Sequence, residues 1–172
     1  MDQPNGLRWV LKGWVLGIDN YLAEQLAIVA RLIKGQLGTK VYMVTLGGFD
    51  THSNQNDNRH PKLMTYLSEA IAAFMADMDA DNLGEKVLGM TFSEFGRRVA
   101  ENGSSGTDPS SAAPIMLFGP ALNDNGFIGK HPSLSDLNKQ GNMTHTTDFR
   151  SVYASVLTDW LCVETNDVNN SL

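Results

Sequence analysis

Three short apolar runs lie between helical segments, and this alternation constrains the fold more than any other feature of the sequence. The runs are Val41–Leu46, Val87–Phe92 and Ile115–Phe118. None of them has a helical period, and glycine, proline or polar residues follow each one. Apolar runs of this length that alternate with helices are typical of βαβ units, whose strands are buried on both faces. The sequence therefore predicts an α/β fold with a parallel sheet.

Helical periodicity is clear in three segments. Apolar residues recur every three to four positions over Tyr21–Lys34, over Pro61–Asp81 and over Thr147–Cys162. Gly35 follows the first segment, as expected at the end of a helix. Apolar stripes of this kind are typical of helix faces that pack on a core. Residues Leu7–Ile18 contain scattered apolar side chains without a clear period.

A chain of 172 residues is long enough for one domain with a sizeable core. We therefore expect a single α/β domain over residues 1–172. Three strands are fewer than the roughly five to six of an average sheet, and a parallel sheet must be covered on both faces. We expect further strands of the same sheet to lie outside this sequence, in a missing N-terminal half or on a partner chain.

Composition excludes several classes of protein. The net charge is −6 and no basic stripe is present, which argues against binding to nucleic acid. Hydrophobic residues make up 42% and charged residues 19%, as in ordinary globular proteins. No run approaches the roughly 18 apolar residues of a membrane span. The start, Met1–Asn5, lacks the features of a signal peptide, and a single cysteine, Cys162, excludes an intrachain disulfide.

Polar clusters follow the first two predicted strands. Gly47–His52 comes after the first strand and Ser93–Arg98 after the second. Because ligands bind beyond the carboxyl ends of strands in an open parallel sheet, we expect Asp50, His52 and Glu94 to converge there. Two carboxylates and an imidazole suit a divalent metal such as Zn²⁺ or Mn²⁺.

Arginines in the second cluster add a possible contact for a substrate. The guanidinium of Arg97 or Arg98 can bind a phosphate or sulfate group by paired hydrogen bonds. Simpler interpretations stay open at this point. Asp50 can cap a helix beside an exposed His52, Glu94 can interact with a helix dipole, and the arginines can be solvated surface charges.

The remaining histidines lie in polar surroundings. His60 and His131 each precede a proline, and His145 precedes the last predicted helix. These positions favour exposed imidazoles over metal ligands. Asp148 is expected in the N-cap region of that helix.

Five segments, in order, are more specific than their composition. They are Leu46–His52, Met90–Arg98, Gly106–Asp108, Ala112–Pro114 and Thr147–Arg150. Together they resemble the C-terminal part of an uncharacterised sulfatase-like family of bacterial, usually exported proteins, grouped in the alkaline phosphatase superfamily. The resemblance covers roughly residues 21–161.

This resemblance implies an alkaline-phosphatase-like α/β fold and a periplasmic or secreted location for the full-length family. It assigns Asp50, His52, Glu94 and Asp108 as metal ligands. Pro109 stands where the family pattern has a histidine, and the N-terminal half that would supply the nucleophile has no counterpart here.

Two hypotheses about function follow. The first is a metal-dependent hydrolase of small-molecule phosphate or sulfate esters, represented here by a truncated or divergent chain without an identified nucleophile. The second is a non-catalytic exported protein, with a binding or structural role, that retains the fold.

Overall fold

The computed structural model describes residues 20–120, 122 and 126–172, so the pattern at Leu7–Ile18 lies outside the described residues. These residues belong to two compact units. The first comprises residues 20–47 and Lys62–Glu85, and the second comprises Gly48–Pro61 and Lys86–Leu172.

Along the described chain, two helices precede four short strands, and two further helices follow them. The elements are helix α1 (Tyr21–Lys34), a π-helical turn (Gln55–Arg59), helix α2 (His60–Ala80), a 3₁₀ turn (Gly84–Lys86), strands β1 (Gly89–Met90), β2 (Gly96–Glu101), β3 (Thr107–Ser110) and β4 (Leu117–Phe118), helix α3 (Phe149–Ser155), a second π-helical turn (Val156–Trp160) and helix α4 (Thr165–Ser171). No helix among the described residues is long and apolar enough to cross a membrane.

Polar contacts at both ends of α1 hold it against α2 in the first unit. The side-chain amide of Asn20, which caps α1, donates to the Tyr66 carbonyl oxygen at 2.9 Å. At the other end, Lys34 Nζ lies 2.8 Å from Asp77 and 2.7 Å from Asp81. The start of α1 therefore meets the early part of α2 and its end meets the late part, so the two helices run parallel.

The apolar stripes predicted for these helices form the core of this unit. Both helix predictions are confirmed, with α1 at the predicted bounds and α2 shifted by one residue. The buried apolar side chains of the two helices are Leu22, Ala23, Leu26, Val29, Ala30, Ala70, Phe74 and Met78.

The first predicted strand is wrong. Residues Val41–Leu46 join no strand pair in the described part of the chain, and Val41 and Met43 are exposed. Instead, the Gln25 side-chain amide accepts from Thr45 N at 3.0 Å and donates to Thr45 O at 2.8 Å. β-branched residues favour extended backbone, but a strand also needs a neighbour to supply its hydrogen bonds.

The predicted parallel sheet is also wrong. In the second unit, β1 pairs with β4 and β2 pairs with β3, and both pairs are antiparallel. The second and third apolar runs do meet, through two strand residue pairs and through hydrogen bonds between Thr91 and Met116. The short turn between β2 and β3 permits only antiparallel pairing, since parallel neighbours need a crossover of about a dozen residues or more. The alkaline-phosphatase-like fold expected from the sequence is therefore not present.

The C-terminal helical region is shorter than predicted. Asp148 caps α3 as expected, because its carboxylate accepts from Arg150 N at 3.0 Å. The Arg150 side chain also binds this carboxylate and lowers its pKa to about 2. Helix α4 was not predicted because its sequence is almost entirely polar, and Val168 is its one buried residue.

Candidate functional site

The hairpin of β2 and β3 provides the base of the site, and Asn102 organises its turn. Asn102 N donates to Gly106 O at 2.8 Å. Its side-chain oxygen accepts from Ser104 N at 2.9 Å and from Gly106 N at 3.2 Å. Ser105 adopts a left-handed φ of 57°. An asparagine side chain can replace backbone acceptors in this way, and it closes the turn over residues 102–106.

Residues 48–55, here called the docked loop, lie against this hairpin. Thr107 N donates to Thr51 O at 3.2 Å, and Gln55 N donates to Ser105 O at 2.9 Å. Thr51 is completely buried. Asn54 N also donates to Ser104 O at 3.0 Å, so three backbone hydrogen bonds attach the docked loop to the hairpin, and the loop carries two of the predicted site residues.

Gly106 allows the docked loop to come this close. A Cβ atom at Gly106 would lie 2.3 Å from the carbonyl carbon of His52 and 2.5 Å from Ser53 N. Backbone atoms cannot move aside as a flexible side chain does. Glycine at this position is therefore a requirement of the contact between loop and hairpin.

Asp50, His52 and Asp108, here called the Asp–His–Asp cluster, meet at this contact. His52 Nε2 lies 2.9 Å from Asp50 Oδ1, and His52 Nδ1 lies 3.5 Å from Asp108 Oδ1. Asn102 Nδ2 donates to the same Asp108 oxygen at 3.1 Å. This hydrogen bond, then His52 and the charge of Arg98, lower the pKa of Asp108 below its usual value, and partial desolvation opposes them. The cluster thus links the docked loop to β3.

Arg97 binds protein oxygens with three of its nitrogens. Nε donates to Thr107 Oγ1 at 2.9 Å, Nη1 to Asp50 Oδ1 at 3.0 Å and Nη2 to Thr51 Oγ1 at 3.2 Å. Its side chain is 18% exposed. Arg97 therefore holds Asp50 in place, whereas the sequence predicted it as a contact for a substrate.

Arg98 and Glu94 differ in their relation to the cluster. Arg98 Nε is buried and makes no hydrogen bond with a described residue, although its charge acts on Asp108. Glu94 is exposed, and the described residues provide no hydrogen bond or ion pair that joins it to the cluster. The structure thus brings Asp50, His52, Asp108 and both arginines into one region and leaves Glu94 outside these contacts.

Geometry limits which residues could hold one metal ion. Among the described residues, no group of three or more His, Cys, Asp or Glu side chains has the arrangement of a metal site. The reason lies in His52, since Asp50 and Asp108 face opposite nitrogens of its ring. One ion can be bound by His52 together with Asp50, and Asp108 would then contact the ring from its other side.

Sequence reasoning missed the uncharged residues of the site. Asn102 donates to the His52 carbonyl oxygen at 2.9 Å, and Thr107 Oγ1 donates to Gln55 Oε1 at 2.7 Å. The Asn-Gly pair at residues 102 and 103 is a recognised turn signal and could have identified the hairpin. No local signal could have identified Gln55, because its partner lies 52 residues further along the chain.

A model of the family DUF1501, described as a protein of unknown function, matches residues 18–162. This match covers most of the chain, and the chain therefore belongs to that family. No sulfatase or alkaline phosphatase family matches it, so the expected place in that superfamily is wrong, in agreement with the antiparallel strand pairs. No significant match was found among curated proteins or among solved structures.

Proposed function

We propose that this member of the DUF1501 family carries a divalent-metal site for the hydrolysis of small-molecule phosphate or sulfate esters. Asp50 and His52 would bind the metal. The observation that supports this proposal is the presence of a carboxylate at each ring nitrogen of His52, with Asp50 2.9 Å from Nε2 and Asp108 3.5 Å from Nδ1.

A neutral imidazole cannot satisfy both carboxylates of the cluster. It has one N–H donor, so the other nitrogen presents a lone pair to a carboxylate oxygen. A second ring proton would satisfy both carboxylates, and so would a metal ion between His52 Nε2 and Asp50, with Asp108 accepting from Nδ1–H. A carboxylate, a histidine and a metal in this order form an arrangement that recurs in metal sites. Imidazole with carboxylate suits Zn²⁺ or Mn²⁺, as the sequence suggested.

Each charged residue around the cluster has a part in this proposal. A divalent ion at His52 would supply positive charge that stabilises the transferred phosphoryl or sulfuryl group. Arg97 holds Asp50 in position through its hydrogen bond. Arg98 has an unpaired Nε donor near Asp108, and this donor supports binding of an anionic group.

Metal titration tests the proposal. We expect calorimetry with Zn²⁺ or Mn²⁺ to show one site, and we expect Asp50→Asn and His52→Gln to weaken binding at least tenfold. Asp57→Asn is the matched control, because Asp57 is an exposed carboxylate outside the cluster. Circular dichroism verifies that the variants fold. A wild-type chain without metal affinity, or a His52→Gln variant that binds as the wild type does, would refute the metal site.

The non-catalytic hypothesis remains a second candidate, and the contacts of Arg97 favour it. Three guanidinium hydrogen bonds and the contacts of His52 with Asp50 and Asp108 can serve only to fasten the docked loop to the hairpin. In that case His52→Gln lowers the melting temperature, and p-nitrophenyl phosphate and sulfate are not hydrolysed with or without added metal. Metal-stimulated hydrolysis that His52→Gln abolishes would exclude this candidate. Export of the protein and a partner chain stay predictions.

A further inference from the structure

A second turn in the same unit is closed by the same hydrogen bonds as the turn at Asn102. Asn138 N donates to Asn142 O at 2.9 Å, and the Asn138 side-chain oxygen accepts from Gln140 N and Asn142 N, both at 2.9 Å. Its fourth residue, Gly141, has a φ of 77°, where the first turn has Ser105 at 57°. Residues 102–106 and 138–142 therefore form equivalent turns, each closed by an asparagine.

The two asparagines differ in what their NH₂ groups do. Asn102 Nδ2 donates to His52 O at 2.9 Å and to Asp108 Oδ1 at 3.1 Å. Asn138 Nδ2 makes no hydrogen bond to another described residue. Because the second turn closes through the side-chain oxygen and backbone alone, the turn itself does not require the two Nδ2 bonds of Asn102.

Both Nδ2 bonds of Asn102 act on the Asp–His–Asp cluster. One holds the backbone of His52, and the other holds the Asp108 oxygen that faces His52 Nδ1. With a metal at Nε2, the remaining ring proton lies on Nδ1, and a carboxylate fixed there accepts it and orients the ring. The lone pair of Nε2 is then available to a metal that Asp50 also binds.

From these contacts we propose that Asn102 is a positioning residue, whose side-chain NH₂ group orients Asp108 and His52 for metal binding at Nε2. This inference rests on the proposed function for the identity of the ligand. Its structural part, control of the His52 ring by Asn102, can be measured without metal.

The test compares Asn102→Asp with Asn138→Asp. Either substitution keeps a side-chain oxygen that can close the turn, but Asn102→Asp removes the two Nδ2 bonds to the cluster. An uncharged variant, Asn102→Ser, controls for the added negative charge. We expect both Asn102 variants to weaken Zn²⁺ binding by about tenfold to a hundredfold, the usual effect of losing an outer partner of a metal ligand. Asn138→Asp should bind Zn²⁺ within twofold of the wild type.

A metal-free measurement separates this inference from the proposed function. The ¹⁵N shifts of the His52 ring report the hydrogen bonding of each nitrogen, and we expect the Nδ1 shift to change in both Asn102 variants, because Asp108 is then no longer held at that nitrogen. If the wild type binds no Zn²⁺ but these shifts change, the proposed function fails and the positioning role stands. Unchanged ring shifts in both Asn102 variants, or equal changes in Asn138→Asp, would overturn the inference.

Discussion

The same hydrogen bonds close the turns at residues 102–106 and 138–142, but the surroundings of the two turns differ. The first lies against the docked loop and contacts the Asp–His–Asp cluster, whereas the second closes next to an isolated bridge between Leu137 and Met143. An asparagine at the first position is sufficient to close such a turn. The comparison therefore separates residues that form a turn from residues that the site requires. Four predictions follow from it, from the largest expected effect to the smallest.

Replacing Asn102 by alanine should lower the free energy of unfolding more than replacing Asn138 does. The Asn102 side chain makes four hydrogen bonds and the Asn138 side chain makes two. At about 1 kcal/mol for each bond, and less where water replaces it, Asn102→Ala should cost about 3 kcal/mol of unfolding free energy and Asn138→Ala about 1.5 kcal/mol. Urea denaturation measures both values. Equal costs would mean that the Nδ2 bonds contribute nothing to stability.

Substitution by alanine should distinguish the fifth residues of the two turns. Gly106→Ala places a Cβ atom against the backbone of His52 and Ser53, which should cost about 2 kcal/mol and separate the docked loop from the hairpin. The equivalent residue of the second turn, Asn142, already has a side chain, and its Oδ1 is buried without a hydrogen bond. Asn142→Ala should therefore be nearly neutral. Thermal unfolding of the two variants provides the measurement, and a neutral Gly106→Ala would contradict the close contact.

The fourth residues should respond in opposite directions. Ser105 and Gly141 both have positive φ angles, a conformation that is strained for residues other than glycine. Ser105→Gly should stabilise the chain by at most about 1 kcal/mol, and Gly141→Ala should destabilise it by a similar amount. Calorimetry measures both effects, as a higher melting temperature for Ser105→Gly and a lower one for Gly141→Ala. A destabilising Ser105→Gly would show that the serine contributes contacts beyond its backbone.

Acid should loosen only the first turn. Asp108 has a folded pKa below its usual 3.8, so its contribution to stability is complete above pH 3.8 and is lost as the pH falls through the folded value. In the described residues, no carboxylate side chain bonds to the second turn. Below pH 3.8, the amide hydrogen of Gly106 should thus lose protection from exchange before that of Asn142. Simultaneous loss at both amides would indicate global unfolding instead.

The helices were predictable because their signals are local. Apolar spacing and the residues at the helix ends identified α1 and α2, since each turn of a helix bonds to its own neighbours. Strand pairing was not predictable in the same way. The runs at Val87–Phe92 and Ile115–Phe118 do contribute β1 and β4, but their direction and partners depend on chain segments far away. For the same reason, the half-exposed polar strands β2 and β3 gave no periodic signal.

In the site, too, residue types could be predicted from the sequence, but contacts between distant segments could not. Asp50, His52, Asp108 and Arg97 were identified from residue type and from the resemblance, and they do come together, although not at the edge of a parallel sheet. Glu94 was grouped with them because it follows a predicted strand, and the strand pairs found here do not bring it into contact with the cluster.

The sequence by itself determined the helices α1 and α2, the absence of a nucleic-acid-binding charge pattern and the residue types available for a metal site. Tertiary structure alone decided that the strands pair antiparallel, that His52 lies between two carboxylates and that Asn102 supports them. The physical reason is separation along the chain. Helix formation depends on residues three to four positions apart, whereas His52 and Asp108 meet only after the docked loop has packed on the hairpin.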